Sequence, residues 1–163
     1  MDSFALWLGG TAASRAVTYY SWIWPTCETL HFVGLALLFG NVGLLDLRML
    51  GAVKQLPVAP LTRLVRWGVL GFVLNLLTGI VFFVGAPSQY VNNIAFQYKL
   101  LFIALAGANL VVFNLSGVAR RVGLLGPGDD APASAKVIAA TSLFLWIGVM
   151  FWGRMLPFIG NAF

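Results

Sequence analysis

Four long runs of apolar residues, separated by short polar or proline- and glycine-containing connections, dominate the hydropathy pattern of the chain. A helix needs about 20 apolar residues to cross the hydrocarbon layer of a membrane. The pattern therefore predicts four membrane-spanning helices, at about residues 27–50, 65–84, 96–118 and 137–158. Because short connections favour antiparallel neighbours, the predicted fold is an all-α, up-and-down four-helix bundle that forms one membrane domain over residues 1–163.

A shorter segment at residues 11–24 precedes the first predicted span. Thr11 suits the N-cap position of a helix. Tyrosine and tryptophan are enriched where a membrane meets water, and this segment carries four of them, Tyr19, Tyr20, Trp22 and Trp24. We therefore expect an interfacial N-terminal helix. No cleavable signal peptide is expected, because the first apolar run has no basic residues before it and is broken at Gly9 and Gly10.

Composition narrows the class of protein further. Of the 163 residues, 60% are hydrophobic and 9% are charged, which excludes a soluble protein. The four spans and their connections take up the length of the chain, so there is no room for a separate soluble domain. Phosphate-binding glycine loops, paired-cysteine motifs and serine nucleophile elbows are absent from the sequence. The single cysteine, Cys27, excludes an intrachain disulfide.

The positions of the charges predict an orientation in the membrane. The net charge of +5 reflects lysine and arginine between the spans, so nucleic acid is not an expected partner. Cytoplasmic loops of membrane proteins carry an excess of lysine and arginine. We therefore expect a bacterial cytoplasmic membrane protein with both termini outside and with these cations inside: Lys54, Arg63, Arg66, Arg120, Arg121 and Lys136.

Ionisable side chains within the predicted spans are the candidate functional residues, because a charge in the hydrocarbon layer is costly unless it is paired. Depth along the spans sorts these side chains into an outer and an inner layer. The outer layer contains Glu28, His31, Lys99 and Arg154, and the inner, structural polar layer contains Asp46, Arg48 and Asn114.

Glu28 and His31 are three residues apart and so share one face of a helix. Soluble bundles use this Glu-x-x-His motif in di-metal sites, but those sites need the motif twice or additional carboxylates, and here it occurs once. The imidazole could instead be an axial ligand of heme iron. Glu28 or a backbone carbonyl would then orient its second ring nitrogen, and Lys99 and Arg154 would bind the heme propionates.

Two alternative interpretations of these residues remain open. Cys27, His31 and Met155 could form a soft copper site. Alternatively, the outer-layer charges Glu28, Lys99 and Arg154 could neutralise one another and hold three helices together without any cofactor.

Small and amide residues within the spans are interpreted as packing positions. Gly40, Gly107 and the Ala36-x-x-x-Gly40 spacing predict close approach of helix backbones. Asn75 and Asn109 predict hydrogen bonds between helices.

Several stretches resemble an uncharacterised family of short bacterial four-span membrane proteins. They are Glu28-Thr-Leu-His31 with Gly34, Leu44-Leu-Asp46-Leu-Arg48-Met-Leu-Gly51, Phe4 to Trp7, Asn92 to Lys99, and Gly153-Arg154. The chain is also distantly similar to HemJ-type heme-binding protoporphyrinogen oxidases and, in layout, to CopD-type copper-resistance membrane proteins. The HemJ-type resemblance implies bound heme b and functional roles for His31 and Lys99. It does not extend to a second histidine, since Val112 to Asn114 contain none.

The leading hypothesis is therefore a heme b-binding membrane protein, an oxidoreductase or electron-transfer subunit with a quinone or redox-protein partner. The alternatives are a copper-binding or copper-transport protein and an accessory subunit without a cofactor. Because one histidine cannot supply both axial ligands of one iron, we expect a homo-oligomer.

Overall fold

A computed structural model describes residues 2–159, and all regular structure within that range is helical. The predicted all-α four-helix bundle is confirmed. Four helices are long and apolar enough to cross a membrane: α3 (Ile23–Leu50), α4 (Val58–Gly85), α6 (Ile94–Leu115) and α8 (Ala133–Met155). Four shorter helices accompany them: α1 (Asp2–Gly9), α2 (Ala12–Tyr19), α5 (Pro87–Val91) and α7 (Val118–Gly123).

The long helices differ from their predicted ranges mainly at their starts. The helix α3 begins at Ile23, before the predicted 27, and Pro25 lies in its first turn, where a missing N–H breaks no helical hydrogen bond. The helix α4 begins at Val58, before the predicted 65, with Pro60 in its first turn. Both helices therefore begin before the predicted spans, each with a proline in its first turn.

The interfacial helix predicted at 11–24 corresponds to α2, which is shorter because it ends at Tyr19, and an unpredicted helix, α1, precedes it. As expected, Thr11 caps α2, because its hydroxyl accepts the backbone N–H of Ser14 at 3.2 Å. This helix, α2, packs against the end of α4, where a side chain at Gly85 would meet Val17 at 2.7 Å. The N-terminal helices thus cover the end of the bundle that carries His31, which we call the histidine end.

Within the bundle, α3 packs against α4 on one side and α8 on the other, and α6 packs mainly on α8. The backbones of α3 and α4 approach closely at Gly34 and Gly71, where a Cβ on Gly71 would lie 2.5 Å from the Gly34 carbonyl oxygen. The predicted close approaches at Gly40 and Gly107 are not found, because a Cβ at either position would meet open space. At the histidine end, α4 and α6 meet where the Phe83 and Phe96 rings stack at 5.8 Å.

The opposite end, which we call the basic end, contains the α3–α4 loop and the chain between α6 and α8. Its apolar core includes Met49, Val58 and Val122. Asp130 joins the loop to α8, with Oδ1 2.9 Å from the Lys54 ammonium and Oδ2 2.7 Å from that of Lys136. Hydrogen bonds from Lys136 and Lys54 lower the pKa of Asp130 to about 2.

Candidate functional site

His31 has one clear hydrogen-bond partner, the Thr78 hydroxyl of α4, with 2.7 Å between Nδ1 and Oγ1. The same hydroxyl donates its proton to the Leu74 carbonyl within α4, at 2.8 Å. A hydroxyl has one proton to donate, so toward His31 it accepts, and Nδ1 carries the hydrogen. The neutral ring therefore has its lone pair on Nε2.

A pair of aromatic side chains lies on one side of this histidine. The Phe82 ring centroid lies 5.6 Å from that of His31, and Trp24 lies 5.0 Å from Phe82. His31 itself is half-buried. The imidazole is therefore held between α3 and α4 by one polar contact and an apolar aromatic wall.

Glu28 lies one turn before His31 but contacts a different group. Its Oε1 accepts the indole N–H of Trp24 at 3.1 Å, and the side chain is exposed. Burial, and then the charge of Glu28, raise the pKa of the Tyr90 phenol in α5. Glu28 therefore faces the connection between α4 and α6, and the side chain that orients the His31 ring is Thr78.

The two cations of the outer layer lie at the same end of the bundle. The Lys99 side chain extends along the backbone of Gly153, where a Cβ would lie 3.6 Å from its Nζ, and its charge acts on His31. Arg154 is exposed, with its guanidinium carbon 5.2 Å from the centroid of the Phe158 ring. Within residues 2–159, the close ion pairs all involve Asp130, so neither cation is paired with Glu28.

The three residues predicted to form the inner polar layer contact different parts of the structure. Arg48 is fully buried and donates three hydrogen bonds to loop carbonyls: Nε to Leu56 at 2.7 Å, Nη1 to Asp129 at 3.1 Å and Nη2 to Gly126 at 2.8 Å. Asp46 points elsewhere, toward Ser142 of α8. Asn114 is exposed and its amide donates to the Leu110 carbonyl of its own helix, so it does not join the layer in which its depth had placed it.

The amide residues within the bundle fall into two groups. Asn109 of α6 donates to the Ile138 carbonyl of α8 at 3.1 Å, which confirms the predicted hydrogen bond between helices. Asn75 instead donates to Gly71 within α4, where it fills the space beside the glycine crossing.

No three histidine, cysteine, aspartate or glutamate side chains in the described part of the chain are grouped so that they could hold a metal ion. Cys27 is a free thiol. A copper site that also uses Met155 stays a prediction. A heme ligand needs less from the protein, since the macrocycle supplies four of the iron's ligands and the chain one or two.

The fold and the site together define a small all-α, multi-pass bundle whose exposed apolar helix faces suit contact with lipid. No protein-family model, curated protein sequence or solved structure matches this chain. The resemblances drawn from the sequence therefore stay predictions.

Proposed function

We propose that this chain is a heme b-binding protein of the bacterial cytoplasmic membrane, in which His31 is an axial ligand of the heme iron. It would serve as an oxidoreductase or electron-transfer subunit that exchanges electrons with a quinone or a redox protein. The observation that carries this proposal is the hydrogen bond from Nδ1 of His31 to Thr78.

The hydrogen bond of His31 supports its proposed role as a ligand. Histidines that bind metals almost always donate the other ring N–H to a protein acceptor, which fixes the tautomer and the ring orientation. Thr78 provides that acceptor and leaves the lone pair of Nε2 for a metal.

The cations at the histidine end suit an anionic macrocycle. Lys99 and Arg154 lie at the same end of the bundle, and neither forms an ion pair with Glu28. Heme b carries two propionates, and cationic side chains near the membrane surface are the usual partners for such groups. Lys99 and Arg154 would therefore bind the propionates, and Glu28 would lie at the edge of the site beside Tyr90.

The chain supplies only one histidine. A second copy related by a two-fold axis would bring a second His31 to the same iron, because such an interface places the same residue of both subunits near the axis. We therefore include a homo-oligomer in the proposal, with the iron either shared or five-coordinate.

The proposal is tested on protein purified in detergent from a heme-replete bacterial host. We expect a Soret band and a pyridine hemochrome spectrum typical of heme b, with both lost in His31→Ala. The control is Cys27→Ser, which changes a side chain one turn away and should keep the heme. A preparation of folded wild-type protein without heme, or a His31→Ala variant with an unchanged heme spectrum, would refute the proposal. Copper in the metal analysis, lost in Cys27→Ser, would favour the copper alternative instead.

A further inference from the structure

Asp46 is a buried carboxyl group that takes no part in the site around His31. The residue is 3% exposed, and its Oδ2 is buried with no hydrogen-bond partner in the described part of the chain. The hydroxyl of Ser142, itself buried in α8, lies beside the carboxyl group. The Asp46 carboxyl group thus lies at the interface of α3 and α8, and its neighbour there is a neutral hydroxyl.

Within residues 2–159, no lysine or arginine forms an ion pair with Asp46. Arg48, on the same helix, is engaged by three loop carbonyls. On α8, Lys136 binds Asp130, and Arg154 lies at the histidine end. On α4, Arg63 and Arg66 are exposed. An unpaired ionised carboxylate in an apolar interior is so costly that the group takes up a proton instead.

We propose that Asp46 is a proton-binding site within the membrane, which holds a proton as a neutral carboxylic acid beside Ser142. Proton uptake converts the carboxylate to the acid and release reverses it, so no co-reactant is needed. The site is close to one surface, since Asp46 lies four residues before Leu50 at the end of α3, a rise of about 6 Å.

Arg48 controls the access of water to this site. Its hydrogen bonds join the loop after α3 to the chain after α7, and these two segments cover the basic end just beyond Asp46. The backbone N–H of Gly128 adds a further bond to the Lys54 carbonyl, at 2.8 Å. Exchange of the Asp46 proton with the aqueous side therefore requires these loops to separate.

Infrared spectroscopy on the full chain tests for the proton directly. Protein labelled with carbon-13 at the aspartate side-chain carboxyl should show a protonated carboxylic acid band at neutral pH. Asp130, with its pKa near 2, is ionised under these conditions. We expect the band to vanish in Asp46→Asn. Asp46→Glu makes the same assignment if the amide variant does not fold, since only aspartate carries the label. A wild-type spectrum with ionised aspartates alone, or a band that survives both substitutions, would overturn the proposal.

Transfer into deuterated water tests the role of Arg48. Exchange of the proton for deuterium shifts the acid band, so the rate of exchange can be followed. We expect this rate to be more than about tenfold higher in Arg48→Lys. Lysine cannot reproduce the three hydrogen bonds, and each hydrogen bond from a charged group contributes about a factor of ten. Arg121→Lys, at an exposed position of the same end, is the control and should exchange at the wild-type rate. Equal rates in all three proteins would refute the control of access by Arg48. Neither measurement needs a cofactor, so both can be interpreted whether or not His31 is found to bind heme.

Discussion

Thr78 illustrates how a single hydroxyl can determine what a histidine is able to do. Its proton is held by the Leu74 carbonyl, and its lone pair holds the Nδ1 hydrogen of His31. The sequence indicates His31 because it is the only histidine. It gives no such indication of Thr78, which lies 47 positions away and, like most threonines within a helix, bonds its own backbone as well.

We expect Thr78→Val to weaken heme binding about 10- to 100-fold, the usual effect of removing the partner that orients a ligand histidine. The substitution keeps the shape of the side chain and removes the acceptor for Nδ1. Heme titration of the apoprotein, followed at the Soret band, measures the effect.

Thr62→Val is the matched control, since Thr62 is exposed on the same helix and its hydroxyl bonds the Ala59 carbonyl. Thr78→Ser retains the hydroxyl and should restore most of the affinity. Equal affinity in Thr78→Val and wild type would mean that Thr78 does not orient a ligand.

At the scale of helices, the crossing of α3 and α4 shows which parts of the packing a sequence can predict. The spans follow from length and hydropathy alone. The contact face does not, because small residues occur on several faces of these helices, and the crossing uses Gly34 and Gly71 instead of Gly40. Which glycines form the contact depends on how all four helices pack together, and a local sequence pattern does not carry this information.

The glycine crossing predicts a sharp contrast between two substitutions in α4. Gly71→Leu should lower the thermal unfolding midpoint in detergent, because a Cβ there would lie 2.5 Å from the Gly34 oxygen and 2.7 Å from the Leu38 nitrogen. Overpacking of this kind costs about 1–3 kcal/mol or more.

Gly79→Leu is the control in the same helix, since a Cβ at Gly79 meets nothing within 4 Å. It should leave the midpoint close to that of the wild type. Equal midpoints for both variants would mean that α3 and α4 do not cross at Gly71.

At the scale of the whole molecule, the sequence predicts the topology but not the partners of the buried charges. The even number of spans puts the two termini on one side, and the excess of lysine and arginine in the loops predicts that this side is outside. The aligned depth of the ionisable residues could also be predicted. Their partners could not, because Arg48 binds backbone carbonyls, which every residue has and no motif marks.

The orientation can be measured with single cysteines in a Cys27→Ser background. A membrane-impermeant maleimide should label Ser88→Cys in intact spheroplasts, and it should label Ala52→Cys only after lysis. Both positions are exposed, at opposite ends of the bundle. The reverse pattern would contradict the proposed orientation.

The three hydrogen bonds of Arg48 also set an order for assembly during synthesis. Two of its acceptors lie 78 and 81 residues later in the chain, in the segment before α8. When the first helical hairpin leaves the ribosome, this guanidinium has only the Leu56 carbonyl as a partner among these three. The full set of bonds can therefore form only after the chain before α8 has been made, so the cover over the basic end is completed late in synthesis.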